Sequence, residues 1–456
     1  MTSPVEKRVL LLVASLSSFL VPYTVSSIAV ALPAIGEDLG LDAVGMGWVT
    51  SAYLLTAAIC ILPFGKLADM HGRKRLFLLG NVLFIVGSFF AALAWSGTVL
   101  IAARVVQGLG GSLVFATSIA IVTAVFSPGE RGRAIGIITA TIYGGLSIGP
   151  FLGGILTQQL GWPSIFLINV PIGIIATLAT LAYIPGEWAD GGSRRFDAVG
   201  AILYGLMLIG VLYGLTLMPA PGAILWMATG VLFLYGFARW ERGHPAPMLD
   251  LGLFRNNTVF LFSNVASLIN YAVVFAVSFL MSLSLQYNGG FDAQTTGIIL
   301  VSMPIVQMVV SPLSGHLSDR IDPRILATAG MAFTTAGLGM MAFLPESTSL
   351  IFIIFGLLIL GLGYGLFAPP NTNAIMSSVE VYNLGVASAM VATMRAIGQM
   401  VSMAIAMMVF SFTLGSQAIS PLVYPELRNA VTITFSIFFF IGLVGIWCSY
   451  ARGKTR

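Results

Sequence analysis

Fourteen apolar stretches, each long enough to cross a bilayer as a helix, follow one another along this chain. In hydrocarbon a backbone can be satisfied only by its own helical hydrogen bonds, so a span needs about 20 mainly apolar residues. The windows fall near 9–33, 46–68, 76–94, 99–125, 133–157, 164–184, 198–217, 222–238, 258–287, 293–317, 325–344, 349–377, 384–412 and 430–450. Charged residues are 8% of the 456, against about 25% in soluble domains. Mean hydropathy is +0.97, and so few charges cannot cover a soluble core of this size. The chain reads as an all-α integral membrane protein with the lipid bilayer as its partner.

The net charge of +4 would suggest nucleic acid only in a soluble protein; here the position of each basic residue matters more than the sum. With the N-terminus in the cytoplasm, the basic residues from Lys7 and Arg8 through Arg73–Lys74–Arg75, Arg131, Arg194, Arg195, Arg239, Arg320, Lys454 and Arg456 all fall inside. Only Arg428 falls outside, while Arg104 and Arg395 lie within spans. A miscount by one helix would scramble this segregation, so both termini are expected in the cytoplasm of a cell-membrane protein. The first apolar run, ending Ala29–Val30–Ala31–Leu32–Pro33, is too long for a cleaved signal and reads as an uncleaved helix. Cys60 and Cys448 lie far apart in apolar stretches and read as packing residues.

The spans repeat. An offset of 250 residues superposes Gly65, Leu67 and Asp69 on Gly315, Leu317 and Asp319. An offset of 253 superposes Gly108–Leu109–Gly110 on Gly361–Leu362–Gly363, and Gly132, Ala134 and Gly145 on Gly385, Ala387 and Gly398. One offset serving two successive helix pairs makes chance a poor explanation. The expected plan is therefore 6 + 2 + 6: one bundle over 1–190, an inserted hairpin with its loops over 191–256, and a second bundle over 257–456. Parallel repeats of this kind hold a substrate site between them and alternate its access by rocking.

The loop after the second span reads Gly65–Lys66–Leu67–Ala68–Asp69–Met70–His71–Gly72–Arg73–Lys74–Arg75, and it resembles the signature loop of the major facilitator superfamily. In that family the aspartate helps to latch the cytoplasmic side. The resemblance gives a gating role to Gly65, Asp69, Gly72 and Arg73, and to the repeat counterparts Gly315 and Asp319. A basic topogenic turn would account for Arg73 to Arg75 but not for Asp69.

The fifth span carries Gly145, Gly149, Pro150, Gly153 and Gly154, similar to the family's antiporter motif. Small residues let helices approach closely, and proline frees a carbonyl and bends the helix. Glycine packing alone could place Gly145 and Gly149 in any bundle. Phe196–Asp197 before the seventh span and Pro247–Met248–Leu249 through Arg255 before the ninth resemble the fourteen-helix drug:proton antiporter branch.

Arg104 and Gln107 resemble the conserved-arginine motif, and Arg395 with Gln399 occupies the thirteenth span. Intramembrane arginines are functional by default, although Arg104 is near enough to a helix end to snorkel. Arg395 should lie about 16 Å along its helix, facing a cavity or a polar partner. Tyr23, Thr24, Tyr143, Asn270, Gln307 and Asn371 complete the expected substrate pathway, with interhelical hydrogen bonding as the competing role for each.

Family members carry an aspartate in the first span where Thr24 stands, and here every Asp and Glu falls at a helix end or in a loop. Proton coupling therefore has only Asp69, Asp319 and His316 as candidates, besides coupling through an anionic substrate held by Arg104 or Arg395. The expected function is export of amphipathic or lipophilic small molecules by a monomeric carrier, driven by protons or another coupling ion. Importer, facilitator and non-transporting sensor are the rival readings. No nucleotide loop, metal cluster or catalytic constellation is visible, so neither enzyme chemistry nor a cofactor is expected.

Overall fold

The computed structural model describes residues 4–126, 128–184, 186–187, 196–244, 247–249, 252–343, 349–380, 384–415, 417 and 419–453. Arg194, Arg195, Asp250, Leu251, Lys454 and Arg456 lie outside the described residues. Among the described residues fourteen helices are long and apolar enough to cross a membrane. They are α1 (Val5–Leu39), α2 (Ala43–His71), α3 (Arg73–Ala92), α4 (Gly97–Val125), α5 (Arg133–Leu160), α6 (Pro163–Tyr183), α7 (Ala198–Thr216), α8 (Gly222–Glu241), α9 (Thr258–Asn288), α10 (Ala293–Ser318), α11 (Pro323–Ala342), α12 (Leu350–Ser377), α13 (Val386–Thr413) and α14 (Pro421–Ala451).

Several helices outrun their apolar windows, because a helix continues into the interface until something stops it. α2 ends only at Gly72, where φ is +109°, a conformation that side-chain-bearing residues rarely adopt. Caps set the starts: Asp42, Ser96 and Ser349 accept from the backbone N–H groups of Gly45, Val99 and Phe352. An even number of crossings brings both chain ends to one face, here called the terminal face, which also carries the α2–α3 loop.

The packing is duplicated. In the first six helices α1 packs on α4, α5 and α6, α3 packs on α4 and α6, and α2 packs on α4. In the last six, α9 packs on α12, α13 and α14, α11 packs on α12 and α14, and α10 packs on α12. Glycines make the closest crossings in both copies. A Cβ on Gly110 would come within 2.6 Å of the Gly80 carbonyl, and one on Gly363 within 2.8 Å of the Gly330 carbonyl. Without a hydrophobic drive between helices in lipid, such backbone contact is what holds a membrane bundle.

The α7–α8 hairpin packs against α2 and α13. The Tyr204 hydroxyl donates to the Ala58 carbonyl at 3.1 Å, and Trp48 packs on Tyr213 with ring centroids 5.6 Å apart. The residues that marked the hairpin's start have a local job. Buried Asp197 accepts from the Gly200 N–H at 2.8 Å and from the Trp240 indole at 2.9 Å, fixing α7 to the end of α8.

Candidate functional site

A cleft enclosing about 790 Å³, its open mouth included, lies between the two sets of six helices. α1, α2 and α5 wall one side and α9, α10, α12 and α13 the other. The repeat governs the lining: offset by 253, Leu146 and Pro150 of α5 correspond to Gln399 and Met403 of α13, and all four face the cleft. At the same offset Val25 and Ser26 of α1 correspond to Ser278 and Phe279 of α9, and these four also line the cleft.

α9 and α10 stay continuous along the cleft, with Phe275, Ala276 and Val301 all in the right-handed helical region, but α9 is locally loosened at Ala276. The Ser402 hydroxyl accepts from the freed Ala276 N–H at 3.0 Å, and the Ser147 hydroxyl donates to the Pro304 carbonyl at 3.3 Å across the cleft. A backbone N–H freed inside a membrane persists only where protein or a cavity satisfies it. Phe275, Ser278, Phe279, Met303 and Pro304, on these stretches of α9 and α10, are lining residues.

Towards the face opposite the termini the two sides meet. A Cβ on Gly154 would come within 2.5 Å of the Ala293 carbonyl, and one on Gly297 within 2.3 Å of the Pro150 carbonyl, so α5 and α10 touch through backbone. On the other flank the Ser51 hydroxyl donates to the Met407 thioether at 3.3 Å, and a Cβ on Gly47 would meet Met407 at 2.5 Å. Gln286 of α9 donates to the Val30 carbonyl at 2.9 Å. The glycine motif of α5 thus divides its labour. Gly145, Gly149 and Gly153, four residues apart, seat α5 on Phe19, Ser26 and Ser27 of α1, while Pro150 and Gly154 face the other half.

Comparison with known protein families matches the Major Facilitator Superfamily over residues 14–403 and again over 264–454. The chain belongs to the Major Facilitator Superfamily. Members of this superfamily are transporters, not enzymes. The chain is 32% identical over 390 residues to the riboflavin transporter RibZ of Clostridioides difficile, covering 86% of this chain and 85% of that one. It is 35% identical over 403 residues to the multidrug resistance protein Stp of Mycobacterium tuberculosis, covering 87% and 74%. To the tetracenomycin C resistance and export protein of Streptomyces glaucescens it is 29% identical over 365 residues, covering 79% and 68%.

Within this superfamily fold the expected pathway residues occupy three environments. Gln307 and Gln399 line the cleft, as does Pro150 of the glycine motif. Arg395, half-buried one turn before Gln399, lies beside the cleft and not among its lining residues: its guanidinium is 5.0 Å from the Phe115 ring of α4, in the other half. It is also within electrostatic reach of Tyr53, Tyr143 and Tyr364, which come from both halves. Tyr364 in turn packs edge-on against Tyr271 at 5.8 Å.

The remaining candidates sit behind the walls. Arg104 is 0% exposed; its Nε donates to the Val49 carbonyl at 2.9 Å, and its Nη1 donates to Gln107, whose amide donates to Ser88 at 2.7 Å. The guanidinium also lies 4.5 Å from the Tyr53 ring. All these partners belong to α2, α3 and α4. Thr24 donates to the Leu20 carbonyl in its own helix at 2.8 Å, and Tyr23 stacks on Phe19 at 5.8 Å. Asn270 donates to the Met331 thioether and Asn371 to the Ser263 carbonyl, tying α9 to α11 and α12.

At the terminal face Asp69 accepts from Arg73 Nε at 2.8 Å and pairs with its Nη2 at 2.7 Å. Arg73 Nη1 also donates to the Ala120 carbonyl at 3.5 Å, tying the loop to α4. Gly72 packs against Glu187, whose carboxylate accepts from the N–H groups of Lys74 and Arg75 at the start of α3. Around Gly65 there is open space, whereas a Cβ on Gly315 would meet Pro369 at an ordinary 3.7 Å. Asp319 and His316 are exposed at the end of α10.

The lining residues that motif reading did not single out, above all Thr50, Leu146, Phe275 and Phe279, are apolar or small. Their one sequence signal was the repeat itself, which maps Gln399 back onto Leu146.

Proposed function

We propose that this carrier exports amphipathic or lipophilic small molecules across the cell membrane by alternating access, with its terminal face in the cytoplasm. The observation that carries this reading is the cleft between duplicated bundles, sealed by backbone contact towards the opposite face and walled by repeat-equivalent residues. Two bundles, residues 1–190 and 257–456, would rock about that cleft with 191–256 as a peripheral insert. On this reading the substrate enters from the cytoplasm, on the terminal face that carries Asp69 and Arg73 of one half and Gly315 and Asp319 of the other. Gating then consists of opening the α5–α10 and α2–α13 seams while the signature loops close. Each chain holds a whole cleft, so a monomer suffices.

The names of two relatives, a multidrug resistance protein and an export protein, favour the outward direction. A facilitator reading has one observation of its own: every acidic residue lies in a loop or within a few residues of a helix end, so the cleft holds no carboxylate for the proton exchange that the drug:proton resemblance implies. Cells lacking their own exporters, loaded with a panel of fluorescent amphipathic dyes of both charges, test the proposal. Faster energy-dependent dye loss on expression of the chain is the expected result. Unchanged loss with preserved dye binding would favour a sensor, and equilibration without net extrusion a facilitator.

A further inference from the structure

We infer that the cleft takes aromatic or amphipathic organic anions in preference to cations, and that the membrane potential drives them outward. This rests on the export reading above and adds its substrate class and its source of energy.

Arg395 stands beside the cleft, one turn before the lining residue Gln399 and within electrostatic range of the lining residue Tyr364. It is half-buried, and its guanidinium faces the aromatic ring of Phe115 across the interface between halves. Tyr53, Tyr143 and Tyr364 surround it at electrostatic range. Among the described residues no carboxylate pairs with it. None could be supplied by the neighbouring helices, because the 17 acidic residues all lie in loops or close to helix ends. Arg104, the other intramembrane cation, is already wrapped by Val49, Gln107 and Tyr53 and points into its own bundle.

A lone cation in a site of low dielectric acts on whatever enters. A second cation loses hydration and meets like charge, whereas an anion gains a charge-assisted and potentially bidentate contact. The rest of the cleft fits an aromatic body: Tyr271, Tyr364, Phe275 and Phe279 offer ring faces and edges, and Gln307 and Gln399 offer amide donors and acceptors.

The charge balance supplies the energy. With a monoanion bound, the site is neutral as it turns outward. Empty, it carries the positive charge of Arg395 as it turns back. A membrane potential negative inside favours that return and leaves the loaded step indifferent, so each cycle moves one negative charge outward. A potential of about 100 mV would sustain an outward monoanion gradient of about 50-fold. No titratable carboxylate is required, which gives Thr24 and the acid-free interior a physical meaning.

Purified protein in proteoliposomes tests this with two probes of one shape and fixed charge, naphthalene-2-sulfonate and trimethyl(2-naphthyl)ammonium. An inside-positive potassium diffusion potential with no pH gradient should accumulate the sulfonate in either protein orientation, and a pH gradient with the potential clamped at zero should not. Arg395→Lys should keep the preference for the anion. Arg395→Gln should lower the anion-to-cation uptake ratio by about 30-fold or more, with size-exclusion elution unchanged. Preferred uptake of the cation, equal uptake of both, uptake of neither, or accumulation driven by the pH gradient alone would each overturn the inference. The dye-loss assay in cells stands apart from these results, so failure of the anion assignment is distinguishable from failure of the export reading.

Discussion

Gly154 of α5 and Ala293 of α10 meet backbone to backbone: a methyl group added at Gly154 would lie 2.5 Å from the Ala293 carbonyl oxygen. Because that oxygen belongs to the main chain at the start of α10, it cannot swing aside as a side-chain tip would. The seam at the face opposite the termini therefore closes only with glycine at this position.

Gly154→Leu should hold the seam open and trap the carrier facing the opposite side. Transport is expected to fall at least about tenfold, with α10 newly reactive to an impermeant maleimide at Gln294→Cys, whose Cα also faces Gly154. Wild-type transport in Gly154→Leu would show that this contact is not part of the seal.

The two intramembrane arginines should separate by what they disturb. Arg104 is a buried charge held by Val49 and Gln107 within one bundle, so Arg104→Ala should cost about 3–5 kcal/mol. Arg104→Lys should recover little of that loss, since an ammonium cannot reproduce the fork. Arg395→Gln should leave the melting temperature in detergent within a few degrees of wild type, because Arg395 holds no hydrogen-bonded network of this kind. Equal destabilisation by both changes would remove the distinction.

Asp69 and Arg73 form an ion pair one helical turn apart, and Arg73 also reaches the Ala120 carbonyl. Asp69→Asn should lower transport by about tenfold or more at unchanged expression, through the gate rather than the fold. Gly65→Ala, which meets nothing in this conformer, should fold normally. Any loss of transport in that variant must then arise in the opposite conformer.

The hairpin makes a contrasting prediction. Asp197→Ala removes the α7 cap and the Trp240 bond and should cost about 0.5–2 kcal/mol of stability. Thermal unfolding should show that cost while the transport rate per folded molecule stays near wild type, since α7 and α8 contribute no lining residue to the cleft.

Fold and site were unequally legible in the sequence. Helix number follows from apolar length, since lipid permits no other way of satisfying the backbone, and the duplicated glycines announced the duplicated crossings. Helix ends were less legible: α2 runs to Gly72 because a positive φ, not a loss of hydropathy, ends it. Residue type could not tell Gln107, bonded to Ser88 behind the wall, from Gln399, which faces the cleft. Orientation decides that, and a helix that is apolar all round carries little orientation in its pattern. Phe275 and Phe279, which also face the cleft, were invisible for the same reason.

Alternating access requires the bundles to part at their sealed face during each cycle. The most direct measurement locks that face: Ser51→Cys with Met407→Cys, at side chains in contact across the α2–α13 seam, in a background where Cys60 and Cys448 are replaced by serine or alanine. Oxidative cross-linking should reduce transport to background, and reduction of the disulfide should restore it. Full transport by the cross-linked protein would contradict alternating access through this seam.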